Sequence, residues 1–292
     1  MNRDTSQTLG TQVQTPPRVV VRTSWGFFVN SILAAALAVV FARSIEQFGV
    51  AVAGALFGRD PVLGVTITEF RSDGSDAVLL GGTIASLVTG SVGLLLFPAA
   101  KDRSAGKLTL LWMILFTFRN GLMDLATSPF SAESPVAITL DTFDAPEGLD
   151  VVVSAGGWVG LLLVGVAAAA AFLGFARHRA EIATPKERLR FITAIALIPA
   201  VVGPLLAVPY FVGADPVGYI RTLPTVGLFI LITVGAAPLT RHVRLPDLGE
   251  ERGLSPGLVA ALAITYLGLR WAIGPGIPIP PWGENFEWRF RE

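Results

Sequence analysis

A few charged side chains stand inside stretches that are otherwise apolar, and any chemistry would have to begin with them. Arg43 and Glu46 lie three residues apart, on one face of any helix that contains them. Asn30 precedes them in the same apolar run. A second run holds Arg119, Asn120 and Asp124, with Asn120 and Asp124 one helical turn apart. In a lipid-embedded helix an ionisable group costs roughly 2.5–3.5 kcal/mol at mid-membrane on insertion scales, so each one needs a partner or a purpose. Two uses fit these residue types. Opposite charges on different helices can fix a bundle, with Arg43–Asp124 and Glu46–Arg119 as the expected pairs; alternatively the same groups can bind a solute or relay protons. Carboxylates alone name no reaction.

A second candidate is made of backbone rather than charge. Pro199, Pro204 and Pro209 interrupt one apolar run at five-residue steps, with Gly203 among them. Each proline removes a backbone donor and clashes with the turn before it. In lipid the freed carbonyls must be met by neighbouring helices or by a water-filled cavity, and broken helices of this kind can line a transporter's substrate site.

Metal and thiol chemistry find little support. The sequence has no cysteine, and its two histidines, His178 and His242, sit beside arginines with no second ligand at helical spacing. No catalytic, metal or cofactor signature is complete, and the expectation is a protein without a cofactor. A net charge of zero argues against nucleic acid as a partner.

The elements that must position these groups are membrane helices. About 20 apolar residues cross the ~30 Å hydrocarbon core. Windows of that kind fall at 25–57, 78–99, 108–126, 151–176, 191–212, 222–240 and 254–273. Only 15% of the residues are charged, against roughly 25% in a soluble domain. The fold class expected is therefore all-α, a polytopic transmembrane bundle of about seven spans covering residues 25–273. Before it, 1–24 reads as a disordered cytoplasmic tail. After it, 274–292 reads as an outer-surface tail rich in proline and aromatic residues. The first window is too long for one upright crossing: it is either a single tilted or kinked span, or a span followed by a re-entrant piece near Arg43–Gly49.

Loop charge sets the expected orientation. With the N-terminus inside, the inner segments hold 14 Lys and Arg against five in the outer ones, the bias the positive-inside rule requires. Segment 127–150 on the outer side carries Glu133, Asp141, Asp144, Glu147 and Asp150 and no base. The location expected is the cell membrane, with the C-terminus outside. Small residues recur at helical spacing (Gly82, Ser86, Gly90; Gly156, Gly160), which suits close packing within the bundle or a homo-oligomer face.

One segment resembles a known family. Ser44–Ile45–Glu46–Gln47–Phe48–Gly49–Val50–Ala51, continuing to Gly58–Arg59, is similar to the HExxH helix of site-2-protease-like intramembrane zinc peptidases. The glutamate matches at Glu46, and the two metal histidines fall at Ile45 and Gly49. The segments Leu80–Leu87 and Phe118–Asp124 resemble later helices of that family, although the spacing around Asp124 departs from its pattern. The resemblance implies a relative that lacks the peptidase chemistry, because no imidazole is left to hold zinc.

The residues lean away from an enzyme. The leading expectation is a non-catalytic multi-pass protein that scaffolds or binds, with the lipid bilayer, other membrane proteins or further copies of itself as partners. A small-solute transporter or channel built on the charged cluster and the proline-broken span stands second. A membrane enzyme acting on lipid stands third.

Overall fold

The computed structural model describes residues 25–64, 68–71, 76–100, 104–211, 223–240, 243, 245, 253–273 and 276–279. The tail assigned to 1–24, and most of that assigned to 274–292, lie outside the described residues. The chain is mostly helical, and among the described residues five helical runs are long and apolar enough to cross a membrane: Trp25–Leu56, Asp76–Ala99, Ala105–Phe130, Leu149–Leu173 and Pro185–Phe211. Two shorter apolar helical runs follow, Val226–Leu239 and Pro256–Gly268.

Helix α1 (Trp25–Leu56) is unbroken over 32 residues, which removes the re-entrant alternative for this segment. It would measure about 48 Å at 1.5 Å per residue. It is apolar on every side and forms the centre of the molecule, against α2 (Leu80–Leu96), α3 (Ala105–Thr127) and a later helix, Ile198–Phe211. Ala34, Ala35, Ala36 and Ala38 in its first half are fully buried. Small side chains are what allow neighbours so close where lipid offers no hydrophobic drive between helices.

After α3 comes a short helix, α4 (Pro135–Thr142), and then α5 (Leu149–Leu173). Helix α6 (Pro185–Ile192) passes through a π-helical turn, Thr193–Leu197, into α7 (Ile198–Phe211). Helix α8 (Leu223–Ala236) packs on α5 and α7, and α9 (Pro256–Ile264) lies against α1. A second π-helical turn, Thr265–Leu269, leads to a last short helix, α10 (Arg270–Ile273). Proline opens α4, α6 and α9 within their first two positions, where its missing N–H costs nothing. Helices α2 and α5 are peripheral: Val88 and Leu95, and Val152 and Leu163, face outward.

The all-α expectation needs one correction. Strands β1 (Pro61–Leu63) and β2 (Thr68–Phe70) form an antiparallel hairpin with Val62 opposite Glu69. Strand β3 (Ile277–Pro278) adds to the other edge of β1, giving the order β2-β1-β3. The hairpin folds back on α1: the Thr68 hydroxyl donates to the Gln47 carbonyl at 3.0 Å, and Phe70 lies over Gly54. Arg59 holds it from the far side, over the Phe70 ring at 4.0 Å and 3.7 Å from Asp76. Strands of two or three residues carry no readable period, and prolines at both Pro61 and Pro278 mask them further.

Two ends of the bundle can be told apart by contacts. At one end the Asn30 amide donates to the Gly253 carbonyl, and its carbonyl accepts from the Ser255 N–H. Arg188 at the same end donates to the carbonyls of Pro238 and Thr240. At the other end β1 meets β3. Between the last two apolar runs, the Tyr266 hydroxyl donates to the Leu206 carbonyl at 2.8 Å.

Candidate functional site

The charged residues singled out from sequence converge where α1, α2 and α3 meet, in the half of the bundle nearer the hairpin. Glycine brings the helices that close. A Cβ at Gly49 of α1 would collide with the Gly81 carbonyl of α2, and one at Gly82 would lie 3.0 Å from Glu46. Glu46 is therefore pressed directly against the α2 backbone, facing α3.

The contacts within the cluster include two residues beyond the expected pairs, Asn120 as a link and Thr83. Glu46 Oε1 accepts from Arg43 Nη1 at 2.5 Å, an ion pair along one helix face. Glu46 Oε2 accepts from the Asn120 amide at 3.1 Å, which is the link across to α3. The Asn120 carbonyl in turn accepts from Arg119 Nη1 at 2.8 Å. Asn120 thus links Glu46 to Arg119. Asp124 Oδ2 accepts from the Thr83 hydroxyl of α2 at 2.6 Å, a contact that was not expected. The charges of Glu46, Arg119 and Arg43 all act on Asp124. The Asp124 backbone carbonyl accepts from Ser134 at 3.0 Å, which ties the start of α4 to the same corner.

The i, i+3 spacing sets Arg43 beside Glu46 on α1. Hydropathy does not fix which way that face turns, because the helix is apolar all round; turned toward α3, it meets Asn120, whose amide can donate to one group while accepting from the next. The side chain of Arg43 is 36% exposed and that of Glu46 20%. Thr83 on α2 is only 1% exposed. Sequence reading missed Thr83, since a threonine in a helix carries no sign that it will meet a carboxylate.

The proline-broken segment is resolved by different means. Pro199 cannot donate to the carbonyl four residues back, that of Ile195. That carbonyl accepts from the Ser31 hydroxyl of α1 at 2.6 Å, and Ser31 Oγ in turn accepts from Trp112 Nε1 of α3 at 3.0 Å. Pro199, Gly203 and Pro204 are buried. A Cβ at Gly203 would lie 2.6 Å from that of Ala35 and 2.9 Å from the Ala36 nitrogen. Of this set only Pro209 faces outward. Gly203 therefore forms part of a helix–helix contact with α1, and Pro199 and Pro204 are buried in the same helix. Ser31 and Trp112 were not singled out from sequence: a serine before an alanine run looks like packing, and its second role depends on a helix more than 160 residues away.

The positions where the peptidase resemblance would need imidazoles are Ile45 and Gly49. Any side chain at 49 would strike the α2 backbone, so the helix pairing seen here is incompatible with a ligand there. Among the described residues, no three His, Cys, Asp or Glu converge as a metal would require. Two recesses open at the surface. One, of about 300 Å³, is lined by Asp60, Arg71 and Ile279 beside the sheet. The other, of about 570 Å³, is lined by Asp141, Asp144, Glu147 and Asp150 beside α4.

Comparison with known proteins gives no relative: no protein family matches the chain, and no curated protein and no solved structure is significantly similar to it.

Proposed function

We propose that the chain is a multi-pass protein of the cell membrane, with seven crossings, a cytoplasmic N-terminus and an outer C-terminus, that acts without catalysis as a binding or scaffolding component. The seven-crossing reading draws on the two ends of the bundle. Asn30, Ile195, Arg188, Thr240 and Ser255 are joined at one end, and Val62 and Ile277 belong to the other. A chain that alternates between these ends makes an odd number of passages between α1 and β3. The basic segment 177–190 lies at the Arg188 end, which favours that end as cytoplasmic. Partners within the membrane would meet the outward faces of α2 and α5, where lipid otherwise lies.

The single observation that carries the non-catalytic reading is the use of the embedded carboxylates. Both oxygens of Glu46 have protein partners, and Asp124 is held by Thr83. One contact of each carboxylate joins helices, Glu46 to α3 and Asp124 to α2, and zinc chemistry forms no part of the reading. Small-solute transport remains the competing reading, favoured by the partial exposure of Arg43.

The absence of native cysteine makes a clean test. Single cysteines at Glu133, Ala183 and Thr83 should be probed in sealed vesicles with a hydrophilic, impermeant thiol reagent. The expected outcome is that Glu133→Cys reacts only from outside, Ala183→Cys only from the cytoplasmic side, and Thr83→Cys from neither. Reaction at Thr83→Cys as fast as at Glu133→Cys would establish a water path to the cluster and favour transport. Reversed sidedness at Glu133 and Ala183 would overturn the orientation.

A further inference from the structure

We propose that the basic segment around α6 is a docking surface for anionic phospholipid, its phosphate held by Arg179, Lys186 and Arg190 and its acyl chains lying along the outward face of α7. The proposal rests on the membrane reading above and adds the chemistry of the lipid. It starts from which charges in segment 177–190 are already used. Glu181 Oε2 accepts from the Arg177 N–H at 2.8 Å. Glu187 is occupied in a capping box: its carboxylate accepts from the Thr184 N–H at 2.9 Å, and its N–H donates to the Thr184 hydroxyl at 3.2 Å. Arg188 donates to the carbonyls of Ile182, Pro238 and Thr240. Both acids and one base of the segment are thus committed to local structure.

Arg179, Lys186 and Arg190 are exposed. Lys186, Leu189 and Arg190 stand at i, i+3 and i+4, on one face of α6, while Phe191 and Ile192 are buried on the other. Leu189 is 40% exposed between the two cations. Cations flanking an apolar side chain suit the boundary between headgroup and acyl chain. The helical run continues directly from α6 into α7, and Ile198, Val201 and Leu205 face outward along it. Phosphate-binding cations therefore pass, on one continuous helical run, into a surface made for acyl chains. That continuity is what favours a lipid over a soluble anion. Each base near an anionic surface contributes about fivefold in affinity.

The test uses the full chain reconstituted in phosphatidylcholine nanodiscs, titrated with phosphatidylglycerol, with bound lipid counted by native mass spectrometry. The wild-type chain should retain phosphatidylglycerol at least about tenfold more tightly than phosphatidylcholine. Lys186→Gln should weaken this about fivefold, and R179Q/K186Q/R190Q should remove the preference. The charge-preserving R179K/K186R/R190K should keep it, which separates charge from folding. Equal retention of the two lipids by the wild-type chain, or an unchanged preference in the triple glutamine variant, would overturn the proposal. So would equally tight binding of soluble glycerol phosphate, which would make this a free-phosphate site. A chain that fails to enter bilayers at all would instead overturn the membrane reading beneath it.

Discussion

The α1–α3 charge cluster and the proline-bearing α7 raise the same problem, polar groups in an apolar bundle, and meet it in opposite ways. In the cluster, side chains satisfy side chains: Arg43, Glu46, Asn120 and Arg119 form a chain of donors and acceptors that crosses from α1 to α3. At α7 a side chain satisfies backbone: Ser31 meets the carbonyl that Pro199 leaves open, and Trp112 completes the hydroxyl. The first arrangement is partly exposed and can trade partners with water. The second is sealed, with Ser31 and Trp112 both fully buried. A cost visible in the sequence therefore does not by itself mark a site; where the counter-group lies decides whether it is structure or function.

The sharpest way to break this contrast is at the closest approach of α1 and α7. Gly203→Leu should cost about 3 kcal/mol of stability, because the added side chain meets Ala35 and the Ala36 nitrogen, and backbone cannot yield as a flexible side chain does. Gly156→Leu on α5 is the matched control, with nothing within 4 Å of an added Cβ. Unfolding followed in lipid–detergent micelles should separate the two clearly. Equal tolerance at both positions would mean that α7 does not pack here as described.

A smaller effect probes the backbone repair itself. Ser31→Ala should destabilise by about 1.5 kcal/mol, since it leaves both the Ile195 carbonyl and the Trp112 indole without this partner. Pro199→Ala supplies an N–H for that carbonyl, so the double variant should be less stable than Pro199→Ala by clearly less than the single-variant loss. A loss of the same size in both backgrounds would show that Ser31 does not serve the freed carbonyl.

The hydropathy windows locate the long helices closely: 25–57 against Trp25–Leu56, and 78–99 against Asp76–Ala99. The cluster members were also legible, because charge in an apolar run is conspicuous, and their pairing required α1 and α3 to be neighbours, as they are. The Arg43–Glu46 pair was legible from its spacing, but the partners on other helices were not. An amide relay through Asn120 and a hydroxyl from Thr83 depend on the rotation of helices whose apolar residues lie on every side. The sheet was hidden for another reason: β1 and β3 lie more than 200 residues apart, and each is too short to show alternation.

The relay through Asn120 is the point on which the internal satisfaction of the buried charges turns, and a double-mutant cycle between Glu46 and Asn120 measures it directly. Glu46→Leu, Asn120→Leu and the double variant should be compared in unfolding free energy. A favourable coupling of about 1 kcal/mol is expected, the double variant losing less than the two single losses combined. Strict additivity would contradict the interhelical contact, and with it the reading of these embedded charges as the bond between α1 and α3.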